Sequence, residues 1–310
     1  MTPEVSAILV NYNAGRELHR ALQSIADELR GMAWEAVVVD NASSDGSPEI
    51  VAEFASHARL IRNEENVGFA TGVNQGVAAS SGPVVLIMNP DCRLVPGAFL
   101  LLRKVLLRRE RCAIVGPCIL DPDGSVQGSA RGDPNMFTGL FGRSGRLRRA
   151  LPRLAVSKRN VITDEPGRAG QDSVIVDWLS GACMLARRDA LLSVGGFDER
   201  YFLYWEDADL CRRLRKSGNH VRYVPSAVAI HRVGHSSRRA RAAATRAFHD
   251  SAYLYYSTHV APGGNQHGFG RRVRRRLKRI VARVILSARC WFQVMRQSPR
   301  RDRLLQDFID

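Results

Sequence analysis

Apolar residues follow two alternating rhythms over the first 120 positions. Short strand-like runs built around apolar residues fall at residues 5–12 (VSAILVNY), 35–40 (EAVVVD), 59–62, 83–88 (PVVLIM) and 113–120. Between them the spacing changes to three and four, as in Leu18, Leu22, Ile25 and Leu29. That spacing predicts helices there, from Pro48 onward, over 69–79 and over 94–107. Strands separated by helices predict parallel βαβ units with right-handed crossovers.

At Asp121 the rhythm stops. Residues 121–171 are rich in Gly, Pro, Arg and Ser and carry seven basic residues between positions 143 and 159. A stretch of that length without periodicity reads as a mobile excursion. Order resumes with strand-like runs at 174–178 and 182–186 and helices at 188–194 and 206–217. Strand-like runs follow at 220–224 and 227–231, and helices at 240–258 and 271–295. In the last helix Val273, Leu277, Ile280, Val281, Val284, Ile285, Ala288, Trp291, Phe292 and Met295 share one face. Arg271, Arg272, Arg274, Arg275, Arg276, Lys278, Arg279, Arg283 and Arg289 occupy the rest. Basic residues opposite Trp, Phe and Leu are the pattern of a helix lying in a membrane interface, with packing against the body of the protein as the competing expectation.

Charge sharpens this division. The chain carries 46 Lys and Arg against 30 Asp and Glu, a net +16. From Arg232 onward there are 18 basic and 4 acidic residues, a net +14, which leaves +2 for everything before. A polyanionic partner is therefore expected at the tail, and an anionic membrane surface suits it. A nucleic-acid partner is not expected, because no nucleic-acid-binding motif accompanies the charge. The six cysteines show no CxxC pairing and read as reduced, buried thiols. No signal-peptide pattern opens the chain and no run of 18 apolar residues occurs, so a cytoplasmic, peripheral protein is expected.

The candidate chemistry lies where the strands end. In an open α/β sheet ligands bind at the carboxyl ends of the strands. Here those ends carry Asn11-Tyr12-Asn13, Asp40-Asn41-Ala42-Ser43-Ser44-Asp45-Gly46 and Asn89-Pro90-Asp91, and Asn66-Val67-Gly68 opens the helix after the third strand. Each has an ordinary reading as a turn or cap, but four on one edge point to a site. Neither GxGxxG nor a Walker A loop is present, so a nucleotide would have to be held without a glycine-rich cradle, which directs attention to a divalent metal on its phosphates. Farther on, Glu206 and Asp207 follow Tyr201, Phe202, Tyr204 and Trp205, a setting in which a partly desolvated carboxylate becomes a better base. Asp209 falls one helical turn before Arg213 and is expected to pair with it.

The ordered motifs ILVNYN, VVVDNASSDGS, NVGFATGVNQG, IMNPD, SGACMLARRDAL, GGFDERYFLYWEDADLCRRL and AIHRVGHS resemble family 2 glycosyltransferases of the GT-A fold, in their rhamnosyltransferase-like and galactofuranosyltransferase-like branch. The resemblance covers residues 5–237. It implies an α/β, Rossmann-like, mostly parallel sheet flanked by helices, with a catalytic domain over 1–237 and a basic helical region over 238–310. It further implies a nucleotide-diphosphate sugar site in which Asp40 meets the pyrimidine base beside Asn11 and Tyr12. Asn66, Gly68 and Asn74 would line the ribose and diphosphate, and Gly181, with Ser180 and Ala182, would let the sugar approach the backbone. Asp91 matches the last acid of a DxD motif and His231 a second ligand to Mn²⁺ or Mg²⁺; the motif here offers one carboxylate. Asp207 matches the catalytic base and Glu206 its neighbour, while Cys183 is expected to pack. The implied activity is inverting transfer of a sugar, foremost L-rhamnose from dTDP-L-rhamnose, to a lipid-linked or polysaccharide acceptor of the cell envelope. A UDP-sugar user (galactofuranose or another hexose) and a catalytically inactive binding module of the same fold are the alternatives. Oligomeric state is left open.

Overall fold

A computed structural model of the chain describes residues 2–133, 172–232, 241–262 and 269–296. Its centre is a sheet of nine strands. The strands β1 (Val5–Asn11), β2 (Trp34–Asn41), β3 (Ala58–Asn63) and β4 (Val84–Met88) pair in parallel in the order β3-β2-β1-β4. The helices α1 (Arg16–Glu28) and α2 (Phe69–Ala79) make two of their crossovers, and a 3-10 helix at Ser47–Phe54 makes the third. All residues of β1 and β4 are buried, which is why their sequences are continuous apolar runs and not alternating ones.

Beyond β4 the topology departs from a simple parallel series. After α3 (Ala98–Arg108) and β6 (Cys112–Leu120), the strand β10 (Cys183–Arg187) inserts antiparallel between β4 and β6. The strand β11 (His220–His231) then runs parallel to β6, and the short strands β5 (Cys92–Leu94) and β8 (Val174–Ile175) pair antiparallel to it. Six strands therefore share one direction, and the sheet is mixed but mostly parallel. A separate two-stranded ribbon joins β7 (Ala130–Arg131) to β9 (Trp178–Leu179).

Several local expectations need adjustment. The helix placed at 94–107 begins only at Ala98, because residues 92–94 are drawn into the sheet edge by β11. Glu28 of α1 accepts from the Gly97 and Phe99 N–H groups and so satisfies the start of α3. The two strand-like runs at 220–224 and 227–231 are one strand with a register shift between Val224 and Val228. Pro225 lies at that break and has no N–H to give to a ladder. Residues 121–133, assigned to the mobile excursion, hold turns and β7; the remainder of that segment lies outside the described residues.

The second half supplies α4 (Arg188–Ser193), α5 (Glu206–Lys216), α6 (Arg241–Tyr255) with a π-helical turn at Tyr256–Val260, and α7 (Phe269–Arg296). Although α6 lies past the boundary expected at residue 237, it packs on the loop before α5. Phe248 lies against Tyr204 and Trp205, Tyr255 against Trp205, and Ser251 Oγ donates to the Leu203 carbonyl. Ala282 and Leu286 of α7 are buried, and Arg283 reaches Asp250 at 2.9 Å and lies over the Tyr253 ring. No helix among the described residues is long and apolar enough to cross a membrane.

Candidate active site

The expected residues lie along the carboxyl edge of the parallel strands and on the loops beside it, each held by local hydrogen bonds. At its nucleotide end, β1 and β2 end in register at Asn11 and Asp40. The Asn11 amide donates to Asp40 Oδ1 at 2.7 Å, and the Ser43 N–H donates to Oδ2 at 3.0 Å. Asp40 is 3% exposed, so its carboxylate also holds the end of β1 to the β2 turn. Tyr12 follows directly after β1, at half-buried exposure.

Asn41, not singled out from sequence, makes the next set of bonds. Its amide donates to Asn66 Oδ1 and to the Gly68 carbonyl, and Asn66 Oδ1 accepts the Gly68 N–H as well. Gly68 has φ +88°, and a Cβ there would sit 2.5 Å from the Phe202 carbonyl oxygen, so only glycine fits. The next residue, Phe69, donates its N–H to that same oxygen at 2.8 Å. Asn74, expected from the resemblance to line the ribose and diphosphate, makes a structural contact of its own. Its amide donates to the Phe197 carbonyl and to Glu199, and its Oδ1 accepts the Phe197 N–H. That side chain braces the Gly196–Phe197 turn against α2.

The loop so anchored leads into α5 through two successive residues with positive φ, Tyr204 at 69° and Trp205 at 70°. Backbone strain of this kind, in residues that rarely adopt it, persists where surrounding structure enforces it, and here the aromatic contacts of α6 do so. Glu206 and Asp207 form the first turn of α5, 5% and 8% exposed. Asp207 Oδ2 accepts the Gly181 N–H at 2.9 Å, and Oδ1 accepts the Ala208 N–H at 2.8 Å. Gly181 thus fixes the carboxylate, and its missing side chain leaves room beside it: a Cβ there would meet Asp207 and Phe69 only at ordinary contact distance.

Antiparallel pairing of β10 with β4 continues past the strand ends, where the Asn89 N–H donates to the Ala182 carbonyl. Asn89-Pro90-Asp91 forms the β4–β5 turn. Pairing of β5 with the end of β11 sets Cys92 opposite His231 and brings Asp91 Oδ1 to 3.1 Å from His231 Nε2. The other ring nitrogen, Nδ1, lies 2.9 Å from Gln127 Oε1. Gln127 donates its amide to Asp121 and to the His231 carbonyl, which fixes its oxygen toward the ring. With Nδ1 as the donor, Nε2 of the neutral ring is an acceptor that lies beside the Asp91 carboxylate and 3.3 Å from the Asn89 amide nitrogen, which can donate to it. Two acceptors facing each other at that distance suit a shared cation. The 3.1 Å separation also matches adjacent ligands in an octahedron with bonds of about 2.1 Å. Among the described residues no cluster of three or more His, Cys, Asp and Glu suited to a metal occurs. One carboxylate and one imidazole are therefore the side chains of this kind that meet at the β4–β5 turn.

The cysteines take no part. Cys92, Cys112, Cys118, Cys183 and Cys211 are buried, and burial pushes Cys112 up to about 11 and Cys211 up to about 12. Thiols held that high are poor nucleophiles.

With the geometry in view, comparison with known proteins is direct. The model of the family "Glycosyl transferase family 2" matches residues 6–191. The chain belongs to that family. The N-acetylglucosaminyl-diphospho-decaprenol L-rhamnosyltransferase of Mycobacterium tuberculosis is 36% identical over 271 residues, covering 82% of this chain and 84% of that one. The rhamnosyltransferase WbbL of Escherichia coli is 42% identical over 76 residues, 24% of this chain and 29% of that one. Among solved structures, the mannosyltransferase PcManGT of Pyrobaculum calidifontis in complex with GDP-Man and Mn²⁺ aligns with a TM-score of 0.56 at 18% identity, over 100% of this chain and 80% of that one. GalNAc-T7 with UDP, GalNAc and Mn²⁺ aligns with a TM-score of 0.58 at 16% identity, over 85% of this chain. The chain spans about half of GalNAc-T7, at 52%. These likenesses establish the GT-A fold, and the family makes this protein a glycosyltransferase.

Proposed function

We propose that this family 2 enzyme transfers L-rhamnose from dTDP-L-rhamnose, with inversion, to a lipid-linked glycan acceptor of the cell envelope at the cytoplasmic face of an anionic membrane. The observation that carries the chemistry is the placement of Asp207, held by Gly181, on the same strand edge as the facing pair Asp91 and His231. The rhamnosyl donor and lipid-linked acceptor are supported by the relatives' names, above all the Mycobacterium tuberculosis enzyme.

In this reading Asp40, with Asn11 and Tyr12, receives the pyrimidine end of the donor, and the Asn66–Gly68 segment lies along its ribose and diphosphate. Asp207 takes the proton from the acceptor hydroxyl as that oxygen bonds to the anomeric carbon. The carbon–oxygen bond to the diphosphate breaks on the opposite face, and the nucleoside diphosphate departs. Asp91 and His231 would hold Mn²⁺ or Mg²⁺, which supplies positive charge against the leaving diphosphate. Glu206, buried in the same turn, lies beside the acceptor, while Asn74 and Asn41 position the loops around the donor.

The tail supplies the membrane surface. Phe269–Arg296 contains ten basic residues and no acidic one. It packs on the body through Ala282 and Leu286, whereas Val273, Leu277, Ile280, Val281, Val284, Ile285, Trp291, Phe292 and Met295 all stay exposed. At 100° per residue those exposed positions cover an arc of about 140° on the side away from the body, wider than a two-helix seam. A broad apolar face with basic flanks and no acid suits an anionic bilayer better than a second copy of itself.

The direct test replaces Asp207 with Asn. Turnover should fall on the order of 10²-fold or more while nucleotide binding persists. Turnover maintained at saturating donor would remove Asp207 as the base. A panel of nucleotide sugars, read by hydrolysis and by thermal stabilisation, should select dTDP-L-rhamnose over UDP-galactofuranose.

A further inference from the structure

The C-terminal π-turn reaches the helix that carries Asp207, and it does so through a buried carboxylate that the transfer reaction itself does not use. Asp209 is 1% exposed. Its Oδ2 accepts from Arg213 Nε at 2.7 Å, the pairing expected one turn along a helix. Its Oδ1 faces His259 Nε2 at 2.5 Å, across fifty residues of sequence. Arg213 continues outward to the Val194 and Gly196 carbonyls, and Gly196 belongs to the turn braced by Asn74. Arg212, on the same helix, donates to the Tyr255 hydroxyl and to the His259 carbonyl, gripping the π-turn from its other side.

No side-chain cap closes the N-terminus of α5, and the two residues before it hold left-handed conformations. The Gly181 N–H holds one oxygen of Asp207, and two residues farther along the buried Asp209 carboxylate ties α5 to the π-turn, which restrains rotation of the helix about its axis. The π-turn is what delivers His259: the Ala261 N–H bonds to the Tyr256 carbonyl, a five-residue span that widens the coil. The His259 ring then lies 4.9 Å from that of Tyr255. Such turns are uncommon and recur at functional sites.

We propose that His259 is a positioning residue of the transferase, acting through Asp209 to hold α5 in the orientation that presents Asp207 to the acceptor. This rests on the reading of Asp207 as the base. It also makes the segment through residue 262, beyond the catalytic domain expected from sequence, part of the catalytic unit.

The test compares two polar replacements that differ in reach. Gln can set its amide N–H near the place of Nε2, whereas Asn ends near Nδ1 and falls short of Asp209. His259→Asn should lower kcat on a soluble acceptor about tenfold or more and leave the donor KM within about twofold, since a displacement near 1 Å at a reacting group can lower rates by that order. His259→Gln should restore kcat to within about threefold of the parent protein. Thermal melting of both variants monitors folding, and the Gln variant supplies the comparison if Asn destabilises the protein. Equal kcat in the two variants, or a loss confined to donor KM, overturns the positioning role. Asp207→Asn is assayed alongside: full turnover in that variant removes the base reading, whereas its loss together with equal Asn and Gln variants removes only the role of His259.

Discussion

His231 faces Gln127 with one ring nitrogen and Asp91 and Asn89 with the other. Gln127 determines which is which, and Gln127 was not legible in the sequence because it lies among Asp, Gly and Ser residues without periodicity. Asp40, Asp91, Asp207 and His231 stood out because each closes a strand or opens a helix, places where a polar residue interrupts an apolar rhythm. What each side chain bonds to was not legible, and the reach of Asn74 to the Phe197 backbone, far along the chain, is one such bond. At this scale the expected consequence concerns metal. Transfer should require Mn²⁺ or Mg²⁺ and stop in EDTA, and Asp91→Ala should remove the dependence along with the activity. Gln127→Leu leaves both ligands in place but frees the ring, so the Mn²⁺ concentration for half-maximal activity should rise about tenfold, the lower end of effects from partners behind a ligand. Activity should recover at saturating metal. Full activity in EDTA would remove the Asp91–His231 assignment.

Among the elements, the loop from Tyr201 to Trp205 has the most unusual backbone. Two adjacent left-handed residues cost on the order of 1–2 kcal/mol each, and aromatic contacts worth about 0.5–1.5 kcal/mol apiece offset this. Phe248 makes two of the three contacts involved. Phe248→Ala should therefore destabilise the protein by about 2–3 kcal/mol and lower turnover more than it lowers nucleotide affinity. Paired melting and calorimetric titration would check this; equal losses in both would mean the loop serves the donor instead. Sequence periodicity located α5 and α6 but could not bring them together, because amphipathic spacing tells which face is buried and not against what. Strand patterns likewise carry no direction, so the run at 182–186 gave no sign that β10 inserts antiparallel between β4 and β6. The three-residue β5 is too short for any rhythm, yet its pairing with β11 is what brings Asp91 to His231.

For the whole molecule, we propose that the catalytic unit extends through residue 262 and that α7 is the separable part. Removing residues 269–310 should leave donor hydrolysis and use of a short soluble acceptor intact while abolishing binding to anionic vesicles. Loss of donor binding in that truncated chain would place α7 in the catalytic unit. In the full chain, vesicle binding should weaken with salt, as the Debye length falls from about 8 Å at physiological strength to about 3 Å at 1 M. Ser at both Trp291 and Phe292 should weaken it too, by removing exposed aromatic area. The sequence displayed the two faces of this helix but left open which one meets the protein; burial of Ala282 and Leu286 answers that.

Under the membrane role proposed for it, the outward-facing apolar stripe on α7 also changes how concentration should be counted. An enzyme lying on the same surface as its lipid-linked acceptor meets it in two dimensions, so the relevant quantity is acceptor per unit of membrane area and not per unit of volume, an effective concentration set by confinement. Diluting a vesicle suspension with buffer should then leave the rate per enzyme nearly unchanged, as long as the enzyme stays bound. Adding inert anionic lipid at constant acceptor should lower it in proportion to the area added. Without α7 the two dilutions should exchange their effects.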